Sequence, residues 1–206
     1  MVIGADIKEV FEEIRMPITI THPGTAVVVT GEYFDYDDNF SDSSTEFLRQ
    51  FGVSGSFTYD TVAVPGDIIN FLDVNYLILS SKPTVFEGEI VTVDSFLLTC
   101  NVNGKFTRIG KGTRNTKGEV VEAETLVHTG VLGCQYEGVG ETLDVSDQQR
   151  VKQYSESLFC YGFSDIKIGD RWYFDLTDLK KYRKVVSIQE RKYSGCLRVY
   201  LDTDSG

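Results

Sequence analysis

A mainly β fold is what this sequence of 206 residues predicts, with two small barrel or sandwich units in tandem behind a short N-terminal amphipathic helix. Three observations carry that expectation. Apolar residues fall in short runs of β-branched and aromatic type rather than at helical spacing. Aromatics make up 12% of the chain, with 11 Tyr and 13 Phe, and such rings pack well on pleated faces. One phrase also occurs twice. Val64-Pro65-Gly66-Asp67-Ile68-Ile69-Asn70-Phe71 precedes Tyr76-Leu77-Ile78-Leu79, and Ile168-Gly169-Asp170-Arg171-Trp172-Tyr173-Phe174 precedes Tyr182 and Val185-Val186.

Residues Asp6 to Arg15 read as the helix, with Ile7, Val10, Phe11 and Ile14 on one stripe. Asp6 and Glu9 form an acidic capping box, and Pro17 stops the helix. Strand patterns follow at Ile18-Thr19-Ile20 and from Ala26 to Tyr33, with a turn at His22-Pro23-Gly24 between them. After an acidic loop, Phe47 to Phe51 reads as a helical turn or a strand, and Ser56 to Asp60 leads into Val64. Pro65 fixes its own φ and Gly66 frees the next position, so the chain bends into a strand, turns over Leu72 to Asn75, and returns from Tyr76 to Leu79. Glu87-Gly88 marks another turn, and Phe96 to Asn101 closes the half. Residues 102 to 124 are rich in Gly, Thr, Asn and Lys and read as a long loop. Apolar patterning restarts at Thr125 to His128, Val131 to Cys134, Leu158 to Tyr161, Val185 to Ile188 and Cys196 to Leu201.

Three landmarks recur at one spacing. Gly31-x-Tyr33 answers Gly133-x-x-Tyr136, Phe57-x-Tyr59 answers Phe159-x-Tyr161, and Gly66-Asp67 answers Gly169-Asp170, all 102 or 103 residues apart. Tandem duplication explains that spacing, and a single larger β-sandwich with look-alike hairpins is the rival. The expected domains are residues 1–110 as helix plus first barrel, 111–124 as a basic linker, and 125–206 as the second barrel.

The Gly-Asp-apolar-x-Phe hairpin, its Tyr-x-apolar return strand and the closing strand Leu97-Leu98-Thr99-Cys100-Asn101 resemble those of the head-closure, or stopper, proteins of tailed bacteriophages. These are small β-barrel head–tail connectors. The resemblance covers two stretches of about forty residues each. It implies a structural, non-enzymatic role: a homo-oligomeric ring between portal or adaptor and tail-terminator-type proteins, retaining packaged DNA without sequence preference. The implied location is the virion, assembled in the host cytoplasm. Family members usually carry a single barrel, whereas this chain reads as two. Another phage tail or baseplate structural protein, or a monomeric β-sandwich module that binds carbohydrate or peptide, stands as the alternative.

Composition narrows the rest. A formal net charge of −11 weighs against a freestanding nucleic-acid binder, though it suits a surface past which DNA must slide. No apolar run is long enough to cross a membrane, and Met1 to Ala5 leads at once into charged residues, unlike a signal peptide. The four cysteines (Cys100, Cys134, Cys160, Cys196) form no Cys-x-x-Cys pair; buried thiols in a reducing compartment are expected rather than two disulfides.

Five cations recur at every third residue, Lys105, Arg108, Lys111, Arg114 and Lys117, and are candidate contacts to a partner or to DNA phosphates. A second basic set, Lys180, Lys181, Arg183 and Lys184, lies on the repeated motif, where charge also keeps a strand edge from unwanted pairing. Asp35, Asp37, Asn39, Ser43 and Glu46 match an EF-hand spacing, but Phe40 stands where the required Gly belongs. Gly110-Lys111-Gly112-Thr113 lacks the spacing and the hydroxyl of a phosphate loop. With only His22 and His128, a nucleophile–base pair has little to draw on, and Asp67 and Asp170 read as turn caps. No catalytic residue, cofactor or metal site is therefore expected. A metal-dependent hydrolase built on the Asp35 loop ranks last.

Overall fold

The computed structural model describes residues 3–14, 16–37, 50–110, 112–114, 116, 120–121, 123–137, 142–143, 152–153, 156–174, 181–190 and 194–203. Helix α1 (Ile3–Ile14) precedes β1 (Met16–His22), β2 (Val27–Asp37), β3 (Gly52–Thr58), β4 (Ile68–Phe71), β5 (Val74–Phe86) and β6 (Glu89–Thr99). These six strands close into a barrel in the order β1-β2-β3-β6-β5-β4. The chain continues through β7 (Val102–Ile109), β8 (Thr113–Arg114), β9 (Val120–Val121), β10 (Glu124–Glu137), β11 (Thr142–Leu143), β12 (Lys152–Gln153), β13 (Glu156–Tyr161), β14 (Arg171–Tyr173), β15 (Arg183–Gln189) and β16 (Cys196–Thr203). A second barrel closes as β7-β10-β13-β16-β15-β14, while β8-β9 and β11-β12 form separate two-stranded ladders. The mainly β, two-barrel fold class expected from sequence is the one observed.

The two barrels share one topology. Replacing β1 to β6 by β7, β10, β13, β14, β15 and β16 reproduces both the sequence order and every neighbour. Inward positions alternate as a closed sheet requires. Ile18, Ile20, Phe34, Phe57, Ile69, Ile78 and Leu97 fill the first barrel. Phe106, Leu158, Cys160, Trp172, Val185, Val199 and Leu201 fill the second. Against this frame α1 lies on β2, β3 and β6, burying Phe11.

Several expectations change at this level. Residues 102–109 are β7, a full member of the second barrel, so that barrel begins at Val102 and the link between barrels is Cys100-Asn101. Within the expected linker, β8 and β9 pair with each other. Asp6 sits inside the first helical turn, because α1 starts at Ile3. Val10, expected on the buried stripe, is exposed.

Register also re-aligns two of the three landmarks. The bulge residue between Thr30 and Glu32 is Gly31, at φ 85°, and its counterpart between Thr129 and Val131 is Gly130, at φ 68°, not Gly133. Phe57 pairs with Phe34 and points inward, and the matching position is Cys160; Phe159 instead faces the other barrel. Gly66-Asp67 and Gly169-Asp170 do correspond, strand for strand. The Phe47 to Phe51 reading lies largely outside the described residues, as does most of the loop from Asp35 to Glu46.

Candidate interaction surface

The repeated hairpin is duplicated down to its hydrogen bonds. Gly66 N–H donates to Ile78 O at 2.8 Å, and Ile78 N–H donates to Asp67 O at 2.9 Å. Gly169 N–H donates to Val185 O and Val185 N–H to Asp170 O, both at 2.8 Å. Gly66 and Gly169 sit at φ 99° and 95°, a conformation other residues adopt only with strain. Each Asp carboxylate accepts the backbone N–H three residues earlier, Val64 at 2.8 Å and Lys167 at 2.7 Å. The remaining oxygen meets a side chain from the first strand of its own barrel. That partner is His22 Nδ1 for Asp67 and Arg108 Nε for Asp170, each at 2.7 Å. Both carboxylates are buried, so the pair is a structural staple rather than a site open to ligand.

A seam joins the barrels. Ile68, Leu77, Leu79 and Leu98 from the first pack on Cys134, Phe159 and Cys196 from the second. Cys196 Sγ donates to Ile78 O at 3.3 Å. A Cβ on Gly195 would strike Pro65 O, and one on Gly24 would strike the Tyr161 hydroxyl, so glycine permits both close approaches. Asn101 laces the link to β10, donating from Nδ2 to Gln135 O at 2.7 Å and accepting Gln135 N–H at 2.8 Å. All four cysteines are free thiols. Burial pushes Cys100 and Cys196 up to about 12, and raises Cys134 and Cys160 above their ordinary value as well.

The five cations of the expected basic arm part company. Arg108 is committed inside the second barrel, where Nη2 reaches Asp170 at 2.8 Å and Asp165 O at 2.6 Å. Lys105 points outward with its ammonium 5.1 Å from the centre of the Tyr173 ring. Arg114 lies on β8, and Lys111 and Lys117 fall outside the described residues. Lys184 of the second basic set lies two strands from β7, because Thr107 pairs with Arg171 and Arg171 with Lys184. Arg171 lies 4.2 Å from the Tyr182 ring. Of that set, Arg183 turns to Glu156 at 2.8 Å, and Lys180 lies outside the described residues.

Charge by half is a signal the sequence offers. Residues 1–101 hold 4 Lys/Arg and 16 Asp/Glu, net −12, while residues 102–206 hold 16 and 15, net +1. The acidic half carries an open cleft of about 670 Å³ lined by Asp35, Tyr36, Asp37, Lys82, Asp94 and Phe96 among others. Partial burial pushes the Asp94 carboxyl up. Hydrogen bonds from Thr84, Ser56 and Thr92, with Lys82 nearby, outweigh that and hold it below the usual carboxylate range.

His128 Nε2 meets Asp165, and its ring stacks 4.0 Å from that of Phe163. Among the described residues neither imidazole is hydrogen-bonded to a hydroxyl or a thiol, and no group of three or more His, Cys, Asp or Glu has metal-holding geometry. Compared with protein-family profiles, curated proteins and solved structures, the chain matches none.

Proposed function

We propose that the chain is a structural protein of a tailed-phage neck, forming a ring between portal or adaptor and tail and helping to retain packaged DNA. The observation that carries this reading is the repeated Gly-Asp hairpin, the stretch through which the chain resembles head-closure proteins, set in the same place in two barrels of identical topology. The Cys100-Asn101 link and the shared apolar seam join those barrels through one continuous contact, a construction suited to bearing the pressure of packaged DNA. The acidic first half suits a surface that DNA passes without sticking. Deleting the gene in its own genome tests the reading. Filled heads that leak DNA and carry no tails are expected; infectious particles assembled without the chain would overturn it.

One feature favours a second reading. The cleft beside Tyr36 and Phe96 combines aromatic faces with Asp and Ser side chains, a mix that carbohydrate sites use. Saccharide binding abolished by Asp94→Asn would support a binding module instead.

A further inference from the structure

The hairpin of β5 and β6 is longer than its counterpart. In the second barrel the β15–β16 ladder ends at Gln189 opposite Arg198, the position held in the first by Lys82 opposite Asp94. The first ladder runs on to Phe86 opposite Glu89, around a tight turn at Glu87 and Gly88. Phe86 lies about 23 Å along β5 from Leu79 at the seam, at roughly 3.3 Å per residue. This extension serves neither barrel interior. Val85, Phe86 and Ile90 are 58%, 53% and 44% exposed, and Glu87 and Glu89 flank them. Phe86 shares one face with Glu89, and Val85 and Ile90 share the other, where α1 already approaches the Ile90 backbone. The exposed apolar end beside Glu87 and Glu89 is a docking element.

The second barrel offers a surface of complementary chemistry. Cross-strand partners share a sheet face. Leu126 pairs with Thr107, Thr107 with Arg171, and Arg171 with Lys184. Leu126 is 59% exposed, and Lys184 is exposed. Lys105 stands beside this row, opposite Tyr173. The carboxylates there are Glu124, held by Thr107 and Tyr173 and 3.8 Å from Arg171 Nη1, and Asp202 across from Lys184. The row therefore presents an exposed leucine at one end and Lys184 at the other, three strands apart, with Lys105 beside it, and the tip presents phenylalanine and valine next to carboxylates. Both are open to solvent within one chain, so they do not satisfy each other there.

We propose that the β5–β6 tip of one copy docks on the Leu126–Arg171–Lys184 row of a second copy of this chain. Such a contact is heterologous, joining different faces of two copies, and it closes into a ring when the rotation between copies divides a full turn. It supplies the ring contact of the neck reading, yet the pairwise contact stands without any particular place in a particle. A tip of this size buries less than a standard interface of about 1,600 Å², so the contact is weak and salt-sensitive.

Cysteine trapping of the full-length chain tests it, since the native thiols are largely shielded in the fold. Glu89→Cys and Lys184→Cys are prepared separately and oxidised alone or mixed at high concentration. The mixture is expected to yield at least tenfold more disulfide-linked dimer than either variant alone, with a fivefold or greater loss in 1 M salt. Equal yields in all three samples, tip-to-tip dimers of Glu89→Cys, or no dimer would overturn the proposal. Sedimentation of a charge swap is the second readout: Glu87→Lys with Glu89→Lys abolishes self-association, and mixing with Lys105→Glu/Lys184→Glu restores it. A swapped pair that associates no better than either partner alone also overturns it. Because neither experiment reads position in a particle, both can fail while the neck reading survives, and the reverse.

Discussion

Asp67 and Asp170 stand at the same point of two barrels, each bridging the backbone N–H three residues earlier and a basic side chain of its barrel's first strand. The partner differs: His22 in the first barrel, Arg108 in the second. Asp170 is buried while Arg108 keeps about a third of its side chain exposed, 34%. Replacing Asp170 with Ala orphans the Lys167 N–H and strips Arg108 of its carboxylate, leaving it the Asp165 O alone. A loss of about 3 kcal/mol is expected, discounted from a fully buried pair because water reaches the guanidinium. Urea unfolding measures it, and a change below the error of the method would show that the staple is ornamental.

The β4–β5 hairpin turns through Leu72 and Asp73, at φ 50° and 62°. Two positive-φ residues make the primed turn that matches strand twist, which Asn-Gly fills best. Leucine there is strained and also 65% exposed. Leu72→Asn with Asp73→Gly should stabilise the chain by about 1 kcal/mol, raising Tm by a few degrees. Calorimetry reads the shift.

Four raised thiols make a pH prediction. A group whose folded pKa lies above its unfolded value stabilises fully below the unfolded value, near 9, and loses that contribution as pH climbs toward 12. Stability should therefore fall from about pH 9 upward, more steeply in the wild type than in Cys196→Ala. At pH 8 a thiol reagent should label the folded chain slowly and the denatured chain at once.

Acid acts through the opposite sign. Asp94, Glu124 and Asp60 are each pushed up by partial burial, yet hydrogen bonds and nearby cations hold them below the usual carboxylate range. Their contribution is present above the unfolded value and is lost as pH falls through the folded one. Unfolding midpoints measured below pH 4 should drop for the wild type and flatten for Asp94→Asn.

The seam predicts one cooperative unit. With Leu77, Leu98, Cys134 and Phe159 in a common cluster, the barrels should melt together. Gly195→Val, which drives a side chain into Pro65 O, should split the transition in two.

Sequence patterning revealed the repeat but misjudged its edges, for physical reasons. β7 reads as a loop because its inward position between Val102 and Phe106 is Gly104, where the Trp172 ring occupies the space a side chain would need. The next position on that side holds Arg108, bound to Asp170 just before the neighbouring strand β14, so one bulky apolar residue, Phe106, remains to mark the strand's centre. Gly133 matched Gly31 on spacing alone, whereas the bulge glycine is Gly130, because the connection from β10 to β13 is longer than that from β2 to β3 and shifts the spacing between the halves. The basic row was legible only in parts. Its cations come from β7, β14 and β15, and strand order, which periodicity does not encode, is what sets them side by side.

A reconstruction of the intact particle bears most directly on the central reading. A ring of copies, two six-stranded barrels in each, is predicted at the joint between portal and tail. Density that places the chain elsewhere, or a joint fully built from other proteins, would contradict it.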